Sequence, residues 1–413
     1  MKNITILLFI LSSSISMLNT ATAGLSVPGV WSNVPIFNQA PLEIKLGTFD
    51  ESINADLLAM VLWNDGSNNR LDAVGIPFPY DGTNITSTSL ENTATLFALG
   101  DICTKGTQVH VPYIKNFNIE VASYNGSIWS TSTVPGTTTN NFDSADCANT
   151  QDGSLISGHN LTNSEIAFYL KLNASPSFNF YGKIGSMAEP VAGPFDGAVR
   201  DTLVADKNSS KAWSLYQLDT GLVRASSFDT SVSPPVFQNN SILQLPAPTT
   251  FVFVKESFGI RLKSSIVFSY NADGNGRTAE ITDKSPAQPH LRNLGAISNS
   301  GTQFNFQGGT YIPNTDEQDN ILEHNILWGD WFLIEPLSNV PAETDSNYPL
   351  QGVGGPVSGC RRIQDSYPRL AYIAGPRVGS SGTDLHIREL DSYDGIFADG
   401  FESGNLSTWN CFN

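Results

Sequence analysis

Oxygen-bearing side chains alternate in a short segment that could bind calcium. Asn271, Asp273 and Asn275 stand at alternate positions, as the ligands of a calcium loop do, and neighbouring glycines permit a sharp turn. Arg277 adds a positive charge nearby, and the twelfth position holds Thr282 where a complete loop has a bidentate glutamate. A plain β-turn is the competing interpretation, and calcium is the only cofactor that the sequence suggests.

Carboxylates are densest in one segment of the C-terminal half. They are Asp316, Glu317, Asp319 and Glu323, followed by His324. Glycosidases need two carboxyl groups about 5–10 Å apart, which this cluster could supply, although an exposed acidic loop explains it more simply. Asp384, His386 and Arg388 recur with a period of two and share one face of a predicted strand, where an ion pair is the simpler interpretation.

The histidines do not form a recognisable metal or catalytic motif. They are His110, His159, His290, His324 and His386. No H-x-H or H-E-x-x-H pair occurs, and no G-x-S-x-G sequence opens a helix after a strand. His110 follows Val109 on a predicted core strand, so we expect it to be packed and hydrogen-bonded. The sequence therefore identifies no catalytic residue.

Residues 1–23 have the pattern of a secretory signal peptide. Lys2 supplies the positive n-region, an apolar stretch follows, and Ala21-Thr22-Ala23 provides a cleavage site of small residues. The apolar core is too short to cross about 30 Å of hydrocarbon, and no later stretch is longer, so we expect no integral membrane segment. The mature protein should begin near Gly24 and be secreted, displayed on the cell surface or periplasmic.

Four cysteines remain after the predicted cleavage. An even number in an exported chain favours disulfides, and four cysteines allow three pairings. Proximity in sequence favours Cys103–Cys147 and Cys360–Cys411, with four buried free thiols as the alternative. The segment 135–153 reads as a long insertion that could place Cys147 on either face of its sheet.

The charge balance excludes several classes of partner. The chain of 413 residues carries 39 acidic and 22 basic residues, a net charge of −17. Such a surface repels phosphate backbones and anionic lipids, so nucleic acids and acidic membranes are excluded as partners. Charged residues make up only 15%, with 35 Gly and 23 Pro, which is typical of a turn-rich β-protein.

A four-stranded unit is clearest in the first third of the chain. Predicted strands cover residues 94–101, 108–114, 117–124 and 127–134, within about 40 residues. The last two flank Asn125-Gly126, a pair that favours a two-residue hairpin turn because both residues tolerate positive φ. Weaker copies recur, several of them closed by Tyr-Asp-Gly or Tyr-Asn-Gly.

The weaker copies extend this pattern over most of the chain. Their predicted strands are 57–63, 165–170 with 178–183, 202–206 with 212–218, 251–254 with 265–270, 304–306, 328–335, and 369–374 with 384–390. Four-stranded units of about 40–50 residues are typical of β-propellers. We therefore predict an all-β fold, a single β-propeller of about seven irregular blades, with two β-sandwich domains as the alternative.

Two segments resemble known bacterial sequences. The stretch VHVPYI…FNIEVASYNGSIWSTSTV is similar to the repeat of bacterial exported β-propellers, and this resemblance implies the fold but no activity. The string IFADGFESG at 396–404, followed by Trp409, resembles a C-terminal tail of exported gammaproteobacterial proteins. A sorting or anchoring signal and a final strand with a turn are the two interpretations. The predicted organisation is signal peptide 1–23, propeller 24–395 and tail 396–413.

The predicted function is binding without catalysis. We expect a monomeric exported module that binds an unknown extracellular ligand, either a carbohydrate or a protein. The alternative is a polysaccharide hydrolase or lyase whose site lies in the central funnel. Carboxylates converging there with an arginine or histidine would favour the enzyme, and a funnel of Ser, Thr and apolar residues would favour the binder.

The ends of the propeller should meet in one blade, because an open ring would leave an unpaired strand edge. We predict that a segment within 27–39 pairs with residues 384–390 as the outer strand of the last blade. Pro35 fits there, since an edge strand tolerates proline. The rival prediction is that residues 396–401 turn back and supply this strand.

Overall fold

The structure is a computed structural model of the chain. It describes residues 31–50, 55–78, 81–139, 141–184, 198–205, 209–218, 223–242, 253–262, 265–272, 275–282, 290–296, 299–300, 304–306, 309–315, 321–327, 330–336, 358–364, 367–376 and 382–389. The predicted signal peptide and tail lie outside these residues. The regular structure of the described segments is β-strand throughout, and they include no helix with the length and hydropathy to cross a bilayer.

The first three full sheets come from the N-terminal half of the chain. Strand β1 (Trp31–Phe37) precedes them. Blade 1 consists of β2 (Pro41–Thr48), β3 (Leu57–Asn64), β4 (Asn69–Ile76) and β5 (Thr86–Thr93). Blade 2 consists of β6 (Leu96–Leu99), β7 (Cys103–Lys105), β8 (Gln108–Lys115), β9 (Asn118–Tyr124) and β10 (Trp129–Thr133). Blade 3 consists of β11 (Phe142–Asn149), β12 (Gly153–Asn160), β13 (Glu165–Leu172) and β14 (Asn179–Ile184).

Four further sheets follow in the same order. Blade 4 consists of β15 (Ala198–Ala205), β16 (Lys211–Leu218), β17 (Val223–Asp229) and β18 (Gln238–Ile242). Blade 5 consists of β19 (Phe253–Leu262), β20 (Ser265–Ala272), β21 (Asn275–Thr282) and β22 (His290–Ala296). Blade 6 consists of β23 (Asn299–Ser300), β24 (Phe304–Phe306), β25 (Gly309–Thr315), β26 (Ile321–Leu327) and β27 (Asp330–Pro336). Blade 7 consists of β28 (Ser358–Gln364), β29 (Tyr367–Pro376), β30 (Thr383–Glu389) and, beside β30, β1.

In blades 1 to 4, a central strand of each sheet is buried on both faces; these strands are β3, β8, β12 and β16. In β3, Leu57, Ala59 and Val61 belong to one apolar cluster with β1, whereas the alternate residues Leu58 and Met60 pack against blade 2. This is why the strand reads as a continuous hydrophobic run instead of an alternating one. Neighbouring blades therefore share their cores face to face.

The innermost strands close the sheets into a ring. Contacts join β2 to β6, β6 to β11, β11 to β15, β15 to β19, β19 to β24, β24 to β28, and β28 back to β2. Seven radially arranged antiparallel sheets form a β-propeller, which confirms the predicted fold and excludes the pair of sandwiches.

The N-terminal strand closes the ring as predicted. Strand β1 pairs antiparallel with β30, with Val34 opposite Leu385 and Pro35 opposite Asp384. In the sheet order β1 lies outermost, followed by β30, β29 and β28. The rival prediction, in which residues 396–401 fill this position, is wrong because β1 already occupies the free edge of β30.

Two local predictions in blades 2 and 3 are wrong. Residues 125–128 form a four-residue loop, because the Asn125 side chain accepts hydrogen bonds from two backbone N–H groups within it. Asn116-Phe117, between β8 and β9, does form a two-residue turn, with φ of 52° and 61°. The supposed insertion 135–153 contains β11, the innermost strand of blade 3.

Candidate functional site: a pocket between blades 2 and 3

A pocket of about 300 Å³ lies where blade 2 meets blade 3. Its walls are the β7–β8 hairpin of blade 2 and, in blade 3, the start of β12 with the end of β13. The lining residues are Lys105, Gly106, Thr107, Gln108, Ser154, Lys171, Leu172 and Asn173. Ligand sites in proteins have volumes of about 300–1,000 Å³, so the pocket is large enough for a small ligand.

The blade 2 wall is shaped by a tight hairpin. Lys105 pairs with Gln108, which leaves only Gly106 and Thr107 in the turn. Gly106 has a φ of +59°, a backbone conformation that residues other than glycine rarely adopt. The turn leaves Thr107 and Gln108 exposed at the rim, where their polar groups can reach a ligand.

Lys171 brings a positive charge to the blade 3 wall. Its Nζ lies 3.4 Å from Oε1 of Gln108 and 3.1 Å from Nε2 of His110, both on blade 2. Among the described residues, no carboxylate forms an ion pair with Lys171. Burial lowers the pKa of Lys171 from its ordinary value. Its polar partners in the protein are therefore neutral groups.

His110 is a buried hydrogen-bond partner of Lys171. It is only 4% exposed, and the ring of Phe178 meets it edge-on at 5.4 Å. Burial, and then the positive charge of Lys171, lower the pKa of His110 to about 4. The imidazole is thus neutral at pH 7: Nε2 accepts from the ammonium group, and Nδ1–H donates to Ser123 Oγ at 2.9 Å. The prediction of a packed, hydrogen-bonded histidine is confirmed.

Hydrogen bonds hold the two walls together. Lys105 Nζ donates to the carbonyl oxygens of Thr150 and Gln151, at 2.5 and 2.9 Å. Asn173 Nδ2 donates to the same Gln151 carbonyl at 2.8 Å. Deeper in the interface, Asn149 Nδ2 donates to the Thr104 carbonyl at 2.8 Å. The geometry of the pocket is therefore set before any ligand arrives.

A disulfide fixes the same interface covalently. Cys103 on β7 and Cys147 on β11 are bonded, with their Cα atoms 5.9 Å apart, which confirms this predicted pair. Cys103 lies two residues before Lys105 in sequence, and Cys147 lies two residues before Asn149. The bond therefore ties blade 2 to blade 3 beside the pocket.

Carboxylates on the inner strands act as ties between blades. Glu43 on β2 accepts the Leu99 N–H of β6 at 2.9 Å, and Asp146 on β11 accepts the Leu203 N–H of β15 at 2.8 Å. Asp101 pairs with Lys45 at 2.8 Å. These three acids therefore link neighbouring blades of the ring.

Several predicted site residues lie at or beyond the limits of the described segments. Asn271 and Asn275 lie on β20 and β21, but Asp273 is outside, so the calcium site stays a prediction. The pair Cys360–Cys411 also stays a prediction, because Cys360 lies on β28 and Cys411 is outside. No group of three or more His, Cys, Asp or Glu side chains in the described part could hold a metal ion.

The acidic cluster and the alternating set on the last predicted strand were the two other candidate sites. Most of the acidic cluster, residues 316–319, lies outside the described segments, whereas Glu323 and His324 lie on β26. The set with a period of two, Asp384, His386 and Arg388, lies on β30 opposite β1.

The pocket itself was missed from the sequence. A hint existed in Lys105-Gly106, which lies between the first two predicted strands of the clearest repeat, and in Lys171 at the end of an apolar strand. Neither lysine indicates a site alone, because the two are distant in sequence and only the ring brings their blades together.

Comparisons with known proteins support the fold. No protein-family model matches the chain, and no curated protein matches its sequence. Among solved structures, the BP39L lectin from Burkholderia pseudomallei is similar, with a TM-score of 0.55 and 11% identity over 85% of this chain and 95% of the lectin. The polysaccharide lyase Uly1 is also similar, with a TM-score of 0.53 and 8% identity over 87% of this chain and 99% of the lyase. At these identities the likeness shows the fold, and the chain is a β-propeller.

Proposed function

We propose that this protein is an exported carbohydrate-binding propeller and that it binds a sugar in the pocket between blades 2 and 3. The observation that carries the proposal is a preformed pocket whose walls present hydroxyl, amide and ammonium groups at an interface between two blades. The fold is compatible with this function, since one of the similar structures is a lectin and another is a polysaccharide lyase.

The lining chemistry suits a sugar. A sugar ring offers many hydroxyl groups that both donate and accept hydrogen bonds, together with small apolar C–H surfaces. Thr107, Gln108 and Asn173 supply donors and acceptors at the rim, and Leu172, which is 50% exposed, supplies an apolar contact. A few convergent polar groups of this kind are what fixes the orientation of a small ligand.

The rigidity of the pocket favours binding. Ordering a side chain on association costs about 0.5–1.5 kcal/mol, and a pre-organised site avoids part of this cost. Here Lys105 and Asn173 are already held by backbone carbonyls, and the Cys103–Cys147 disulfide joins the two walls. The disulfide also fits the oxidising compartment that export would reach.

A pocket-blocking substitution tests the proposal. The protein is screened on a glycan microarray as wild type and as Thr107→Trp, which places an indole at the pocket rim from an exposed turn residue. Ser67→Trp is the matched control, because Ser67 is also an exposed loop residue but lies between β3 and β4 of blade 1, outside the lining. We expect glycan binding by the wild type and by the control, and loss of binding in Thr107→Trp. Equal binding by all three proteins would refute this site, and a wild type that binds no glycan would refute the function.

A further inference from the structure

The charge inside the pocket is opposite to that of the whole protein. The chain has 39 acidic residues against 22 basic ones, yet the described lining contains two lysines and neither Asp nor Glu. The lysines are Lys105 and Lys171, one on each wall. The pocket is therefore a local positive site on a protein whose net charge is negative.

Among the residues that the structure describes, Lys171 in particular has no acidic side chain as an ion-pair partner. Its contacts are an amide oxygen of Gln108 and the imidazole Nε2 of His110, both neutral. Partial burial of an ammonium group is unfavourable unless a charge or good hydrogen bonds compensate for it. These two acceptors hold the ammonium group in place without neutralising its charge. An anion bound in the pocket would supply a counter-charge to this ammonium group.

We propose that the pocket binds the anionic group of an acidic sugar, a carboxylate or a sulfate, with Lys171 as its principal contact. This inference rests on the proposed carbohydrate-binding function and specifies the class of sugar. An ammonium group is a compact donor that binds either oxyanion, and a hydrogen bond between two charged groups is stronger than a neutral one. Thr107 and Asn173 then contact the hydroxyl groups of the same sugar.

The net charge of −17 limits how much negative charge the ligand carries. Beyond a Debye length of about 8 Å the protein's field is screened at physiological ionic strength, so a single anionic group close to Lys171 experiences mainly local charges. A densely charged polyanion would extend over the acidic surface and be repelled. The expected ligand is thus a glycan with an isolated acidic residue.

Binding measurements on paired glycans test this inference. The array carries neutral oligosaccharides, oligosaccharides with a single uronic acid, and oligosaccharides with a single sulfate, and calorimetry then gives the affinity of the best ligand. We expect acidic glycans to bind best, and Lys171→Gln to weaken their binding by roughly 10- to 100-fold. Lys171→Arg should keep most of the affinity. The uronate and sulfate glycans, compared at one neutral pH, show which of the two anions the pocket prefers.

Two controls separate charge from folding. Lys183→Gln makes the same change in net charge on β14 outside the pocket. The glutamine amide can still donate a hydrogen bond to Glu165 Oε2, the ion-pair partner of Lys183, so the affinity should be unchanged. Thr107→Asp adds a negative charge at the exposed rim and should also weaken acidic glycans by at least about tenfold. Ser67→Asp makes the same change in net charge on the β3–β4 loop of blade 1 and should leave the affinity unchanged.

The outcomes distinguish the two proposals. Neutral glycans that bind as well as acidic ones and are blocked by Thr107→Trp would overturn the acidic-sugar inference and leave the carbohydrate-binding function intact. Unchanged affinity of acidic glycans in both Lys171→Gln and Thr107→Asp would also overturn it. An array on which the wild type binds nothing would overturn both proposals.

Discussion

Replacing both cysteines of the inter-blade disulfide should destabilise the protein without unfolding it. The change is Cys103→Ala with Cys147→Ala, two residues that are buried and bonded to each other. The bond closes a loop with a sequence separation of 44, for which the chain-entropy model gives a stabilisation of about 4 kcal/mol at 25 °C. Loss of packing around the two sulfur atoms acts in the same direction.

The expected fall in melting temperature follows from the size of the propeller. The described strands extend from Trp31 to Glu389, about 360 residues, and unfolding entropy is about 2.1 cal/mol/K per residue near 60 °C. Dividing 4 kcal/mol by the total gives a decrease of roughly 5 °C.

Differential scanning calorimetry of the wild type and the double variant measures this decrease. Reductant is then added to the double variant, where any further fall reports a second disulfide such as the predicted Cys360–Cys411. A melting temperature within 1 °C or so of the wild type, about a fifth of the worked value, would refute the reasoning that this bond constrains the chain.

Three further predictions follow from individual contacts. Asp146→Ala should cost about 1–3 kcal/mol in chemical denaturation because the Leu203 and Cys147 N–H groups both lose their acceptors. Asp146→Asn keeps one acceptor oxygen for the buried Leu203 N–H and should cost clearly less; equal costs would contradict this. Ile36→Ala should cost about 2–5 kcal/mol because Ile36 on β1 packs in a buried apolar cluster, while Pro35→Ala at an exposed position should be nearly neutral. A larger loss of stability in Pro35→Ala than in Ile36→Ala would contradict the closure of the ring by β1. His110, with a pKa near 4 folded against 6.5 unfolded, binds its proton first in the unfolded chain, so stability should fall as pH drops from about 6.5 to 4, by about 3 kcal/mol. In His110→Gln that share of the pH dependence should vanish, and an unchanged profile would contradict the burial argument.

The fold could be predicted because its strongest signals are local. The strands of blade 2 are separated by short turns and carry β-forming residues, so their order is readable from the sequence alone. Closure by β1 followed from a physical requirement, since an unpaired β30 edge would be exposed. Both arguments need only neighbouring residues or a general rule about sheet edges.

The innermost strand of blade 3 could not be recognised for a different reason. Its sequence, FDSADCAN, contains no Val, Ile or Leu, and its polar groups have distant partners. Asp146 accepts a hydrogen bond from blade 4, Cys147 is bonded to blade 2, and Asn149 donates to the Thr104 carbonyl. The sequence pattern of β11 alone does not predict these contacts.

The turn in blade 2 was misassigned because register overrode local preference. Asn125-Gly126 has the composition of a two-residue turn, but Trp129 pairs with Tyr124, which leaves four residues between the strands. At the other end of β9, the register places Phe117 in a left-handed conformation, where its ring lies 5.1 Å from Phe97. Tertiary pairing therefore decided both turns.

The pocket was out of reach of the sequence because it is assembled across blades. His110 and Lys171 are 61 residues apart, and each one alone is an ordinary strand residue. Only the ring geometry sets the ammonium group beside a neutral imidazole and two exposed polar side chains.

The most direct test of the account is a crystal structure of the protein with an oligosaccharide that bears a single acidic group. We predict that the sugar occupies the pocket between blades 2 and 3, with its carboxylate or sulfate about 2.7–3.0 Å from Lys171 Nζ. A glycan bound in the central channel or on another pair of blades, with the pocket beside Lys171 unoccupied, would contradict it.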